Sequence, residues 1–432
     1  MKAHVPDFKE GTLPGGLRTV LVDLPDRGMA AAQLSFRFGT AGDGPELAGL
    51  SRVLVQALAT PSDRFAVDLE RCGGRITATG DHDACSITVS APAGRFPQVL
   101  DLLAEAVIEP RLAPDDVDRL VARRGAQLAR ERADPPTRAM DAFLAAAHAP
   151  GCGYGLPAGG TAGSVAGLRA EAVRALYDRS AGPANACLVV AGDLRRSAME
   201  HALDNSFGGW SRDVEPVRRR APEPAAPART VVVDVPRAVQ TAIVYGRSVP
   251  LLDTAGRIAL EVVVHCLGGW FGSRLNLLLR ERKGYSYGAH AWLVSRSWQA
   301  GHSCQVLVQT SVRTPSTGAA VEEMVAEVDR LSGGDLADGE PASAAESIVQ
   351  AQPIQAQTPQ QVVEWYGRPI RRGYPPDFPR RRLDAVLGLD PAAARETARL
   401  LRPAELHLVA AGDAEVIEPM LRGAGLAPEV VA

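Results

Sequence analysis

"LRTVLVDLPDRGMAAAQLSFRFG", residues 17–39, reads as a short β-rich run, an Asp-x-Pro break and a second strand ending at Gly39. The chain repeats this phrase. In "ARTVVVDVPRAVQTAIVYG", residues 228–246, Asp234 and Pro236 fall 211 positions after Asp23 and Pro25. Likewise "CLVVAGDL" at 187–194 is echoed by "LHLVAAGDA" at 406–414, with the Ala-Gly-Asp triplets 220 positions apart. Single phrases of this kind end strands in many chains, but two anchors at nearly equal offsets are most economically explained by two copies of one domain. The expected division is a first domain over 1–216, a linker over 217–230 and a second domain over 231–432, the linker "VRRRAPEPAAPART" being rich in proline and alanine.

Composition bounds the function. A chain of 432 residues is too long for one hydrophobic core, and 46% apolar against 22% charged residues marks it as globular. With 47 Lys and Arg against 50 Asp and Glu, no nucleic-acid footprint is expected. The six cysteines, Cys72, Cys85, Cys152, Cys187, Cys266 and Cys304, form no C-x-x-C pair, which suits buried thiols in a reducing compartment better than a disulfide frame or a zinc knuckle. The N-terminus lacks an apolar signal region and no stretch has eighteen unbroken apolar residues, so a cytoplasmic protein without membrane contact is expected.

Within each half, strand runs alternate with longer helical ones. "ELAGLSRVLVQALAT", "RFPQVLDLLAEAVIEP", "PDDVDRLVARRGAQLARERAD" and "RAEAVRALYDRS" carry helical periodicity, and "GRITATGDHDACSITVSAP" reads as a strand pair around Gly80 to Asp83. Each half is therefore an α+β unit with a mainly antiparallel sheet packed with helices. "LGGWFGS", 267–273, follows a helical run and lacks the Lys-Ser/Thr ending of a phosphate loop, so nucleotide binding is not expected.

The most informative stretch is "EVVVHCLGGWFGSRLNLLLRERKGYSYGAHAWLVS". A helix with Leu275, Leu278 and Leu279 on its apolar side ends in Arg280, Arg282 and Lys283 before Gly284, a stop signal of cations and glycine. The strand "YSYGAHAWLV" follows, so Arg280 and Tyr287 can meet across a tight corner and present a forked cation and a hydroxyl donor to a carbonyl or oxyanion. The plainer reading is that Arg280 caps its helix and Tyr287 fills the sheet.

The order of these features, a glycine turn, S-R-L, an apolar helix, Arg, seven residues to Tyr and a strand, resembles the C-terminal domain of the insulinase-like family of zinc peptidases, which includes pitrilysin and the mitochondrial processing peptidase. The resemblance runs over nearly all the chain and implies two homologous domains arranged as halves of a clamshell. In two-subunit relatives an Arg and a Tyr at this spacing bind substrate, a role it assigns to Arg280 and Tyr287. Catalytic members carry H-x-x-E-H on the helix equivalent to "GLSRVLVQAL", 49–58, with two zinc-binding histidines one turn apart and a glutamate that activates water. Here those positions are Arg52, Val55 and Gln56, and the third ligand position falls near Gln127. A guanidinium about 5 Å from a dication is opposed by roughly 6 to 7 kcal/mol at an effective dielectric near 20, and valine cannot act as a base. The expectation is that this chain binds no metal or other cofactor and that zinc belongs to a partner subunit. Other histidines do not supply a site: His82 lies in a turn beside Asp81 and Asp83, His265 on an apolar stretch, and His290 three residues beyond Tyr287.

The resemblance therefore implies a non-catalytic, substrate-binding subunit of a heterodimeric zinc metallopeptidase, working beside a homologous zinc-bearing subunit on peptides or precursor leader segments. The alternative is an inert scaffold or homodimeric binding protein of the same fold. An autonomous hydrolase has little support, since no G-x-S-x-G elbow is present.

Overall fold

Twelve strands fold into two six-stranded sheets in the computed structural model, which describes residues 5–60, 62–194, 196–218, 221–225, 227–298 and 301–431. The expected linker, 217–230, lies partly outside the described residues, at 219, 220 and 226. The first sheet contains β1 Phe8–Thr12, β2 Arg18–Asp23, β3 Met29–Phe36, β4 Arg75–Gly80, β5 Cys85–Pro92 and β6 Ala186–Gly192, in the order β1-β2-β6-β3-β5-β4. The second contains β7 Thr230–Asp234, β8 Gln240–Leu252, β9 Ser286–Trp298, β10 Gly301–Arg313, β11 His407–Gly412 and β12 Pro428–Val431, in the order β12-β7-β11-β8-β10-β9. Five strands of each sheet follow one topology. β6 runs parallel to β2, as β11 does to β7, and the strands beyond them are antiparallel. The sixth differs: β1 is antiparallel to β2, and β12 is parallel to β7.

The repeated phrases have a physical cause. Asp23 ends β2 and its carboxylate accepts from Leu194 N at 3.4 Å, while Asp234 ends β7 and accepts from Ala414 N at 3.1 Å. Each clasps the amide just after an Ala-Gly-Asp triplet. Leu24 N and Val235 N repeat the match, donating to Gly192 O and Gly412 O, both at 2.8 Å. Three residues past each aspartate the backbone turns left-handed, at Asp26 (φ 63) and Arg237 (φ 61). Asp-x-Pro and Ala-Gly-Asp are thus two ends of one clasp that closes a parallel strand pair.

Two compact units result, neither continuous in sequence. One comprises 1–128, 156–220 and 352–380, and the other 129–155, 221–351 and 381–432. In the first, the helices Leu50–Ala59 (α1), Phe96–Ile108 and Ala170–Ser180 cover one sheet face with a core that includes Leu34, Phe36, Leu54, Ile87 and Leu188. The helix Pro359–Arg371 packs on β3 and β6. It approaches so closely that a Cβ at Gly367 would lie 2.0 Å from Gln33 Oε1. Gln33, buried in β3, donates to Glu364 at 2.6 Å and accepts from Arg371 at 2.6 Å.

In the second unit the helix Pro135–Ala147 sets Ala139, Phe143, Ala146 and Ala147 against Val231, Val233, Val244, Leu307 and Val409. The helix Thr254–Gly268 packs on β9 and β10. It carries Glu261 between two guanidinia, 2.7 Å from Arg257 and 2.7 Å from Arg382 Nε. All six cysteines are unpaired thiols. Among the described residues no helix is long and apolar enough to cross a membrane.

Two outcomes test this packing. Phe143→Ala removes a fully buried ring and is expected to cost about 3–5 kcal/mol in denaturant unfolding, whereas a loss under about 1 kcal/mol would contradict the packing of 129–155 in the second unit. Burial raises the carboxyl of Glu261, but Arg382 and Arg257 overcome it and hold the group down at about 2. Its stabilisation is therefore present above the unfolded carboxylate range and is lost as pH falls through about 4.5 towards 2. Glu261→Gln is expected to cost about 3 kcal/mol at pH 7, and the gap from the native chain should narrow over that acid window. A gap unchanged down to pH 2 would contradict the assignment.

Candidate functional site

The corner that carries Arg280 and Tyr287 is built from two backbone irregularities. After the helix Thr254–Gly268 a turn closes with Ser273 N donating to Trp270 O at 3.1 Å. The expected helix then forms with wider winding: Asn276–Arg282 is a π-helix, and Lys283 N reaches back five residues to Leu278 O at 3.0 Å. Leu275, Leu278 and Leu279 are buried, as their spacing indicates. The segment stops at Gly284 in the left-handed region, φ 63, as the glycine signal predicts. Arg280 sits in the last turn, partly exposed, with Nε 3.3 Å from Glu281 and its guanidinium carbon 4.1 Å from the Phe271 ring centroid.

Tyr287, the second residue of β9, lies in a bulge. Ala289 pairs with Thr310 and Ser286 with Val312, so Tyr287 and Gly288 together oppose Ser311. The extra residue turns the phenol outward, and Tyr287 is 93% exposed, so it does not fill the sheet. The bulge is pinned: the Ser286 and Thr310 hydroxyls lie 2.7 Å apart and 2.7 and 2.8 Å from Gly288 O, and Gly288 N donates to Ser286 Oγ at 3.0 Å. Asn276, buried at the start of the π-helix, joins the parts. Its amide nitrogen donates to Trp270 O (3.0 Å) and Ala289 O (2.8 Å), and its oxygen accepts from Ala289 N at 2.9 Å. Turn, π-helix and strand are thus held by one side chain. Among the described residues Arg280 and Tyr287 do not bond each other, and both face solvent as hydrogen-bond donors.

Sequence reading alone missed Phe271, Asn276, Ser286 and Thr310. An asparagine within a leucine-rich run and a glycine just inside a strand were the available signals. The histidines stand apart from this cluster in their bonding. His290 is exposed on β9, His265 bonds Ser347 Oγ at 3.0 Å with its basicity lowered by burial, and His82 in the β4–β5 turn bonds Leu156 O at 2.7 Å.

In the first unit, α1 is a well-capped core helix. Asp43 accepts from Gly49 N at 3.1 Å, from Ser51 N at 3.0 Å and from the Ser51 hydroxyl. Burial lifts the Asp43 carboxyl to about 6 despite these bonds. Of the three positions the family resemblance relates to zinc binding, Arg52 and Gln56 are half-buried, and Val55 is fully buried in the core. These side chains do not fit a zinc ion: a guanidinium does not coordinate, an isopropyl group has no lone pair, and one amide oxygen is no tetrahedral set. Gln127 is half-buried on the helix Pro114–Glu131, and Arg124, nearly one turn earlier, is buried with Nε donating to Gly159 O at 2.9 Å. Among the described residues no three His, Cys, Asp or Glu side chains cluster to hold a metal.

The chain is similar to known proteins in both sequence and fold. Residues 18–149 match the family described as Insulinase (Peptidase family M16), and residues 167–346 match the Peptidase M16 inactive domain. An uncharacterized zinc protease of Mycobacterium tuberculosis is 29% identical over 294 residues. The match takes in 65% of this chain and 66% of that protein, just under two thirds of its length. Among solved structures, a peptidase M16 inactive domain from Pseudomonas fluorescens superposes with a TM-score of 0.80 at 19% identity, covering 94% of this chain and 98% of that one. A protease from Helicobacter pylori gives 0.84 at 16%, covering 95% and 100%. At these identities the structural likeness is one of fold. With both domain types matched in order along the chain, the protein belongs to the insulinase-like M16 peptidase family.

Proposed function

We propose that this chain is a non-catalytic, substrate-binding subunit that works beside a homologous, zinc-bearing peptidase subunit on peptides or precursor leader segments. The observation that carries the reading is an asymmetry. The helix α1 holds Arg52, Val55 and Gln56 where a metal site would need ligands and a base, while the Arg280–Tyr287 corner is braced and open. In this reading hydrolysis belongs to the partner, and this chain supplies position and charge. Arg280 donates to a carbonyl of the bound peptide, and the Tyr287 hydroxyl donates to the oxygen on which negative charge grows. Both donors lie outside the core, so their cost in the free state is small and their bonds form when substrate excludes water. The unpaired thiols suit a reducing compartment, and the cytoplasm is the proposed location.

The test is co-purification with a zinc-bearing homologue and cleavage of a quenched fluorescent peptide by the pair and by the separated chains. Only the pair is expected to cleave. Arg280→Ala should lower kcat/KM by roughly 100-fold and Tyr287→Phe by roughly 10-fold, with the two subunits still co-eluting. Full activity of the double variant would contradict the proposal, and would favour an inert scaffold if the chain still assembled.

A further inference from the structure

The ring of Phe271 is 66% exposed at the tip of a four-residue turn, where a large apolar side chain gains little from burial. Its contact is the Arg280 guanidinium, 4.1 Å from the ring centroid. We propose that Phe271 is a positioning residue for Arg280, holding the guanidinium by its flat face so that its terminal N–H edge is aimed outward before substrate arrives. This rests on the reading of the corner as a substrate-binding site.

The geometry supports each step. An exposed arginine samples many rotamers, and fixing it only upon binding costs affinity. A ring under the guanidinium restricts that sampling without consuming any N–H donor, because the attraction acts through the π face. Glu281 lies beside Nε as an ion pair at 3.3 Å, and among the described residues the Arg280 guanidinium donates no hydrogen bond. The turn that carries the ring is itself held. Trp270 O, next to it in the chain, accepts from both Ser273 N and Asn276 Nδ2, which ties the turn to the brace that fixes Tyr287. A Cβ at Gly272 would lie 2.8 Å from the outer edge of the Trp270 ring, so a larger residue there would have to displace that ring. The same amide that locates the phenol therefore locates the platform beneath the guanidinium.

Phe271→Leu keeps the apolar bulk and removes the π face, and Phe271→Trp keeps the face. At so exposed a position neither should unfold the chain. In the active pair, Phe271→Leu is expected to lower kcat/KM about two- to five-fold and Phe271→Trp to retain it, and the Leu penalty should vanish when Arg280 is already alanine. A Leu penalty that persists in the Arg280→Ala background, or no penalty in the native one, would overturn the proposal. If Arg280→Ala itself has native activity, the substrate-binding reading fails instead. A crystal structure of the full chain alone reads the stack without any activity: Arg280 is expected ordered over the ring in the native chain and displaced in Phe271→Leu. An Arg280 that is disordered or turned away in the native chain would overturn the proposal whatever the kinetics show.

Discussion

The central strands β6 and β11 are buried along their whole length, on both faces of their sheets. Such a strand forces two layers of cover, because either face left bare would expose a continuous apolar strip. Each unit meets the demand with helices from its own half of the chain on one face and one helix from the other half on the opposite face. Pro359–Arg371 serves the first sheet and Pro135–Ala147 the second. Where the cover is tight it is also specific. Gln33 meets Glu364 and Arg371 through paired polar groups, and Phe143 enters a mainly apolar layer with the His407 ring edge-on to it. The aspartate clasps at Asp23 and Asp234 then lock the parallel pairing that puts β6 and β11 in the middle.

Against this regular frame, the corner near Gly284 departs from standard geometry twice within a dozen residues. A π-helix rewinds the segment that carries Arg280, and a bulge redirects Tyr287 out of the sheet. Such irregularities cost stability unless neighbours enforce them, and here Asn276 does so with buried hydrogen bonds and Ser286 and Thr310 with a partly buried one. Helix α1 shows the opposite tendency. Its turn bearing Arg52, Val55 and Gln56 is regular, and Val55 adds to the core. One unit carries an exposed pair of donors on irregular backbone, and the other an ordinary packed helix.

Much of the fold is written locally. The strand pairs, the hairpin after Gly80 and the helix α1 follow from periodicity and turn residues, and the twofold repeat from its two phrases. The exchange of Pro135–Ala147 and Pro359–Arg371 was not legible, because an amphipathic helix records that it has an apolar side but not which sheet it will cover. The winding of Asn276–Arg282 was equally hidden: a run of leucines ending in cations fits α and π geometry alike. Arg280 and Tyr287 were visible through their spacing and the resemblance it carries. Phe271 and Asn276 were not, since their significance lies in what they touch.

Under the proposed division of labour, this chain contributes donors and leaves the metal to another subunit. The most direct test is the zinc content of the purified full-length chain, measured by mass spectrometry after equilibration with excess zinc and removal of the free ion. Far less than one zinc per chain is expected. One tightly held zinc per chain would contradict it.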